Sequence, residues 1–577
     1  MTRSGGSIAR AVAPVVWWLV LVLVQACSNG GGDGGGSNEL VTPEVRTSSD
    51  GVLSTTLRAA RSPVEVAGLK AERLVYEGQY PGPTLRVKPG DRILVDLVND
   101  IVDAPTNLHF HGFHVSPKPL SDDPFLEVVP GESVQIDVQL PSDHPSGLYW
   151  YHPHYHPRVS PQVYEGMSGA IIVEGALDEL PGVKGLPEQL FVLKEVGITP
   201  DGKRLENYPD WQLPDTVFTI NGQLDPTLRV HPGETQRWRF LNASTAFTYR
   251  IALDGHVLNE IAQDGNTLAE VSPQPYIDLL PGGRFEAIVQ IGDAGTYALR
   301  TLAYEQGVAN TPDTVLASVV AEGDRVETQP LPTTLLPFTD LSQLPVDRQR
   351  RLKLSVQLDP LVFLIDDQVF DPDVDDQVVE LGALEEWKVF NVSNEMHPFH
   401  IHQNPFQLTE INGRPVTSRG YLDTVAVPAN GSITFRTQFL DFTGRFVYHC
   451  HILPHEDNSM MGTVAVTEDG SAPSHGDAAA GKAVFLSAGC GDCHTLANAG
   501  TSGTIGPSLD QHIAVMGIDG IASIVRRGRR DMPAFGGKLS EAEIRNVSSY
   551  LRLFAGDHTD CPSTPGGPDF GHAQHCW

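Results

Sequence analysis

One pattern recurs three times along this chain and limits what it can fold into. Val87-Lys88-Pro89-Gly90-Asp91 leads to Asn99, Val230-His231-Pro232-Gly233-Glu234 to Asn242, and Val379-Glu380-Leu381-Gly382-Ala383 to Asn391. The spacing from Gly to Asn is nine residues in every copy. Between them runs alternating apolar sequence such as Ile93-Leu94-Val95-Asp96-Leu97-Val98, which reads as a strand entered from a turn. The copies start 143 and then 149 residues apart, a period that marks repeated domains rather than solenoid units. The predicted fold is therefore mainly β, with sandwich domains at 50–180, 181–330 and 331–468. The 56 Gly and 44 Pro of the 577 residues suit such a turn-rich protein. Residues 469–478 read as a small-residue linker, 479–556 as a small all-α domain and 557–577 as a tail. In the helical part, Ser540 and Glu543 can form a capping box, and Ile544, Val547, Leu551 and Phe554 follow at helical spacing.

The amino terminus reads as an export signal. Arg3 and Arg10 precede an apolar run from Ala11 to Val24, short for a membrane span. The run ends Gln25-Ala26-Cys27, which resembles the bacterial lipoprotein processing box. That resemblance implies a signal peptide over 1–26, cleavage before Cys27 and acylation of its thiol; the alternative is an ordinary secretory signal. Residues 27–49 then form a flexible tether, and the expected location is periplasmic or outer-membrane-anchored. Lys+Arg number 40 against 71 Asp+Glu, a net charge of −31 that argues against nucleic acid as a partner. From 476 onward there are 8 Lys/Arg and 10 Asp/Glu, a net of −2, so −29 falls on residues 1–475.

Four histidine clusters carry the chemistry: His109-Phe110-His111, His152-Pro153-His154, His397-Pro398-Phe399-His400-Ile401-His402, and His449-Cys450-His451 with His455 and Met460. Residues i and i+2 of a strand share a face, so each His-x-His pair can present two imidazoles to metal. Imidazole suits copper, zinc and iron. The last cluster narrows the choice: one Cys, a His five later, a Met ten later and a remote His make a blue-copper ligand set.

With these motifs the chain resembles the three-domain, laccase-like multicopper oxidases over about 50–468. Flanking matches include Pro81-Gly82-Pro83-Thr84, Phe370-Asp371-Pro372, Asp423-Thr424-Val425 and Asp441-Phe442-Thr443-Gly444. The resemblance implies three cupredoxin-like Greek-key sandwiches and four copper ions. The type 1 (blue) ion would be held by His397, Cys450, His455 and Met460. The type 2 ion would take His109 and His400, and the two type 3 ions His111, His152, His154, His402, His449 and His451. It also implies four one-electron oxidations at the blue site and reduction of O2 to water, with electrons leaving Cys450 through His449 and His451. Asp122 and Glu456 are similar in position to the family's acidic proton-relay residues; the alternative for both is surface charge. His114 and His156 are expected not to be ligands, and the middle domain to be a structural spacer. Ser459 departs from the family's usual Gly before the methionine.

Cys490-Gly491-Asp492-Cys493-His494 is a c-type haem attachment signature, with a thioredoxin-like redox pair as the alternative. The two thiols would hold one heme c covalently, with His494 and Met532 as axial ligands; Met532 fits better than Met516. Together with Ile505-Gly506-Pro507-Ser508-Leu509, the signature resembles class I cytochrome c over about 479–556. Cys561 and Cys576 are expected to pair in an export compartment, the alternative being a metal site with His572 and His575. Arg526, Arg527, Arg529 and Arg530 are expected to dock the haem domain on an acidic oxidase surface near the blue site, or else to be a solvated helix end. The donor is expected to be a small molecule, a metal ion or a redox protein; with only seven Met, a dedicated cuprous-ion oxidase is disfavoured. The competing readings are a haem-fused copper nitrite reductase, which has two cupredoxin domains, and a copper-binding scaffold without oxidase activity.

Overall fold

The computed structural model describes residues 38–199, 201–205, 215–512 and 517–554. Cys27 with its signal and tether, Met516, Cys561, His572, His575 and Cys576 lie outside the described residues.

Each copy of the repeated pattern builds the same piece of backbone. Gly90, Gly233 and Gly382 have φ of 86°, 81° and 92°, the left-handed region that glycine enters without a Cβ penalty. The strands that follow are Arg92–Asn99, Thr235–Asn242 and Leu384–Asn391. Each pairs in parallel with the strand that opens its domain, Val52–Val66, Glu188–Ile198 or Arg348–Leu358. Each pairs antiparallel on its other side with Ser133–Gln139, Arg284–Gln290 or Ser432–Gln438.

The terminal asparagine then ties the strand to its surroundings. Asn99 Nδ2 donates to Ala104 O and Val128 O at 3.0 and 2.8 Å. Asn242 Nδ2 does the same to Phe247 O and Leu279 O at 2.8 and 3.0 Å, and Asn391 Nδ2 to Glu395 O and Val427 O at 2.7 and 3.2 Å. In all three, the Oδ1 accepts the N–H two residues on. The nine-residue spacing is thus one strand length between a left-handed turn and a buried amide clamp.

The sheets stack in pairs. A four-stranded and a five-stranded sheet enclose the first core; six- and five-stranded sheets enclose the second and the third. The strands that end at the site, His109–His111, Gly147–His152, His397–Ile401 and Gly444–Cys450, all lie in the five-stranded sheets of the first and third domains.

The C-terminal part is helical as expected. Ala478–Ser487 packs on Glu541–Phe554, with Ile518–Arg527 against the latter. The capping box forms: Ser540 N–H donates to Glu543 Oε2 at 2.8 Å and Glu543 N–H to Ser540 Oγ at 3.3 Å. Ile544, Val547 and Leu551 are buried, but Phe554 is 39% exposed and Tyr550 takes the inward position. No described helix is long and apolar enough to cross a membrane.

Candidate metal centre

Three of the four predicted blue-site residues converge on one point. Cys450 Sγ lies 3.5 Å from His397 Nδ1 and 3.7 Å from His455 Nδ1, and the two Nδ1 atoms are 3.3 Å apart. All three side chains are buried. Burial pushes the Cys450 thiol well above its ordinary range and holds both imidazoles neutral, so a cation is what would make the thiolate favourable here. The Phe363 ring stacks on His455 at 3.9 Å. Met460 is buried beside them, its carbonyl accepting from Cys450 N–H at 3.0 Å and its N–H donating to His455 O at 2.9 Å. Ser459 has φ of 81°, which explains why glycine is the usual residue there. Ser459→Gly should relieve a left-handed serine and stabilise the fold by about 0.5–1 kcal/mol net of the glycine's unfolded-state entropy, raising the thermal midpoint; an unchanged melting temperature would contradict this.

The other eight imidazoles gather behind Cys450, on the opposite side of its strand. His111, His152 and His451 form one triad and His154, His402 and His449 another, while His109 and His400 sit together beside His111. His111 Nδ1 is 3.3 Å from His451 Nε2; His449 Nε2 is 3.2 Å from His154 Nε2 and 3.3 Å from His402 Nε2. Each His-x-His pair is therefore divided: its two rings go to different groups. Three of the four pairs manage this by straddling a strand end, with His154, His402 and His451 just past the last paired residue.

The surroundings hold these rings with one nitrogen turned inward. His109 Nδ1 donates to Asp122 Oδ1 at 2.9 Å, His152 Nδ1 to Pro153 O at 2.9 Å and His400 Nδ1 to Asp423 O at 2.8 Å. The Nε2 atoms of the same three rings are buried with no hydrogen-bond partner. Buried polar atoms are rarely left so, and imidazoles held from behind with the other nitrogen bare are how proteins present metal ligands. Burial lowers the basicity of all eight rings, keeping them in the neutral, metal-binding form.

Both predicted relay acids are buried at this centre, not on the surface. Burial raises Asp122 to about 7, against the pull of hydrogen bonds from Phe110 N–H at 3.0 Å and Gln403 Nε2 at 2.8 Å. Burial likewise raises Glu456 to about 7; its carboxylate lies 3.3 Å from His154 Nε2 and 3.1 Å from His449 Nδ1. His114 and His156 belong to none of the histidine groups.

The spacer reading of the middle domain needs correction. Its Arg284 reaches the third domain, donating from Nη1 and Nη2 to the two carboxylate oxygens of Asp423 at 2.9 and 2.6 Å. Asp423 Oδ1 in turn lies 3.2 Å from His111 Nε2. Gly282 of the same domain backs the cluster so closely that a Cβ would stand 2.7 Å from the His451 ring. Arg284 was missed because an arginine after Gly282-Gly283 is no ligand type. Asp423 was visible only as a flanking match.

In the helical domain, Cys490 and Cys493 close a one-turn helix with His494 directly after it. Both thiols are free and partly exposed. His494 Nδ1 donates to Pro507 O at 2.9 Å, which leaves Nε2 as its ligand atom, and a Cβ on Gly506 would sit 2.4 Å from that ring. Met532 packs against the core of this domain. These residues fit a c-type haem.

The arginines do meet acidic oxidase surface. Arg527 Nη2 donates to Glu127 O at 2.8 Å, Arg529 Nε to Glu132 Oε1 at 2.8 Å and Arg530 Nη2 to Pro130 O at 3.0 Å. Arg526 instead pairs with Glu541 inside its own domain at 2.7 Å. The seat is a first-domain turn, supplemented by the third-domain loop 371–376: Asp373 accepts from Arg552 Nε and from Ile518 N–H, both at 2.6 Å. Arg445 ties Asp375 to Asp519 of the helical domain. None of these bonds falls on His397 or His455.

Three family models, each described as multicopper oxidase, match residues 58–178, 198–323 and 343–470. The chain belongs to the multicopper oxidase family. A fourth model, described as cytochrome C oxidase, cbb3-type, subunit III, matches residues 476–551. Among curated relatives, the multicopper oxidase mco of Staphylococcus aureus is 28% identical over 75% of this chain and 93% of its own length. Among solved structures, a multicopper oxidase from Campylobacter jejuni, described as a metallo-oxidase, aligns with a TM-score of 0.67 and 26% identity over 75% of this chain and 96% of its own. A laccase from Pediococcus acidilactici aligns at 0.66 and 26%, over 75% and 94%. As a member of this family the chain is a copper oxidoreductase. Its three sandwiches differ from the two that the nitrite-reductase reading requires.

Proposed function

We propose that this multicopper oxidase takes single electrons from a donor at a type 1 copper held by His397, Cys450, His455 and Met460. It passes them to a type 2 ion on His109 and His400 and a type 3 pair on the two histidine triads. When bound, the ions supply the redox chemistry that reduces O2 by four electrons to water.

The observation that carries this reading is the placement of Cys450. Its thiol faces one group of ligands, while His449 and His451, its covalent neighbours, belong to the two opposite triads. An electron leaving the thiol therefore has a bonded path of one residue in either direction. Asp122 Oδ1 and Oδ2, beside His109, and the Glu456 carboxylate, between His154 and His449, are placed to hold and give protons. The complete set of ligand side chains favours an enzyme over an inactive scaffold. Cys490 and Cys493 would bind heme c by thioethers, with His494 and Met532 axial, making the C-terminal domain a resident electron-transfer partner. Export and a lipid anchor at Cys27 remain part of the reading, since haem attachment of this kind takes place outside the cytoplasm.

Cys450→Ser tests it. The wild type should carry four copper ions, a blue absorption band, and O2 uptake driven by a phenol or a reducing metal ion. The variant should retain three ions, lose the band and lose uptake with these donors. Undiminished uptake in the variant would refute the assignment.

A further inference from the structure

The haem domain sits on a part of the oxidase that leads to the cluster without passing the blue site. Arg527 Nη2 donates to the carbonyl of Glu127 at 2.8 Å. That carbonyl and the N–H of Val128 are one peptide plane, and the Val128 N–H donates to Thr106 O at 2.9 Å. The next plane joins Thr106 to Asn107, whose Oδ1 accepts the backbone N–H of His154 at 2.6 Å. His154 belongs to the triad with His402 and His449. Three hydrogen bonds, two peptide planes and the Asn107 side chain thus connect Arg527 to the backbone of a cluster histidine. The bridge is fixed at its centre. Thr106 and Asn107 are fully buried; Thr106 Oγ1 bonds Gln162 at 2.8 Å and Asn107 Nδ2 bonds Pro124 O at 3.2 Å.

A second contact of the haem domain leads toward the blue site. Arg445, anchored to Asp519 of the haem domain, is the second residue of the strand that ends in Cys450. Four residues of strand lie between them, a rise of about 16 Å over five steps of ~3.3 Å.

We propose that the bridge through Glu127, Val128, Thr106 and Asn107 gives the haem its own electron path to the trinuclear centre, parallel to the path through Cys450. In each transfer one electron leaves a ferrous haem, which becomes ferric, and reduces one cupric ion of the centre; no bond forms or breaks. The proposal rests on the reading above that copper and heme c are bound, and adds that the enzyme has two inlets, one for diffusing donors and one for its haem.

The test uses full-length holoenzyme without O2. A flash from a photoreductant reduces the haem, and its absorbance is followed as the electron moves on. In Cys450→Ser, shown by metal analysis to keep its other three ions, haem reoxidation should persist. Added to that variant, Asn107→Leu should slow it several-fold, and Asn107→Asp, which keeps the acceptor for His154 N–H, should restore it. A haem that stays reduced in Cys450→Ser overturns the proposal. Arg527→Leu in the otherwise native chain removes the first link from outside the oxidase core. It should slow haem reoxidation several-fold while phenol oxidation is unchanged, and equal haem kinetics would also overturn the proposal. A wild type without copper or without phenol oxidation would instead mark failure of the functional reading itself.

Discussion

Arg284→Leu is expected to destabilise the protein by about 3–5 kcal/mol and to strip copper from the cluster, although Arg284 touches no predicted ligand. Its guanidinium is fully buried and bidentate on Asp423, which is 3% exposed. Asp264 lies 3.6 Å from the same guanidinium. Removing the arginine leaves two buried carboxylates without a cation. A cavity of about 350 Å³ lined by Asp264 and Arg284 can admit water, which places the loss at the lower end of that range. The effect on metal follows from His111: with Asp423 displaced, its Nε2–H loses the acceptor that fixes Nδ1 toward the cluster. Loss of such an outer partner typically weakens metal binding about 10–100-fold. Asp423→Asn with Arg284→Leu should recover most of the stability but not the copper, and calorimetry with metal analysis would separate the two. If Arg284→Leu melts like the wild type with full copper, the middle domain has no part in the centre.

Reversing Arg527, Arg529 and Arg530 together to glutamate is expected to detach the haem domain. Glu127 and Glu132 are 9% and 8% exposed beneath these arginines, so the attraction acts where water screens it poorly. Breaking a buried charge pair costs about 2–5 kcal/mol, much of it the penalty on the partner left behind. Here the partner would also meet a like charge. The bonds from Arg552 and Ile518 to Asp373 and the Arg445–Asp519 pair remain, so adding Arg552→Glu and Asp519→Asn should complete the release. Small-angle scattering should show an enlarged, two-part particle, with the linker around 469–478 open to proteases. Haem-to-copper transfer should collapse while phenol oxidation continues. A particle as compact as the wild type would show that charge does not hold this seat.

The two predictions concern features of unequal legibility. The ligand positions could be read from the sequence because metal ligation restricts residue type and strand geometry restricts spacing, so His-x-His and Cys-x4-His survive as local patterns. The repeat was equally legible, since a left-handed Gly, a strand and an Asn clamp are all local events. Arg284 was not legible. It acts across a domain boundary on Asp423, 139 residues away, and ion pairs at such separation leave no spacing rule. The docking surface was half legible. The arginines stood out as a run, but their partners are mostly backbone carbonyls and two glutamates on a turn whose placement depends on the first sandwich. Nor could sequence show that Arg526 turns back to Glu541, because helix Ile518–Arg527 presents it to helix Glu541–Phe554 and not to the oxidase.

The two kinds of cofactor site set opposite conditions on the maturing chain. The proposed haem anchors span five consecutive residues, Cys490 to His494, so attachment would need no part of the chain to have folded. The copper ligands meet only after closure of very large loops: His111 and His451 are 340 residues apart in sequence, and Gly282 of the middle domain must already lie against that histidine. Closing such loops is an entropic cost borne by folding, and metal affinity created by folding appears only when folding is complete. On the function proposed above, heme c would therefore be acquired early, by a chain not yet folded. A full complement of copper would certify that all three sandwiches have assembled.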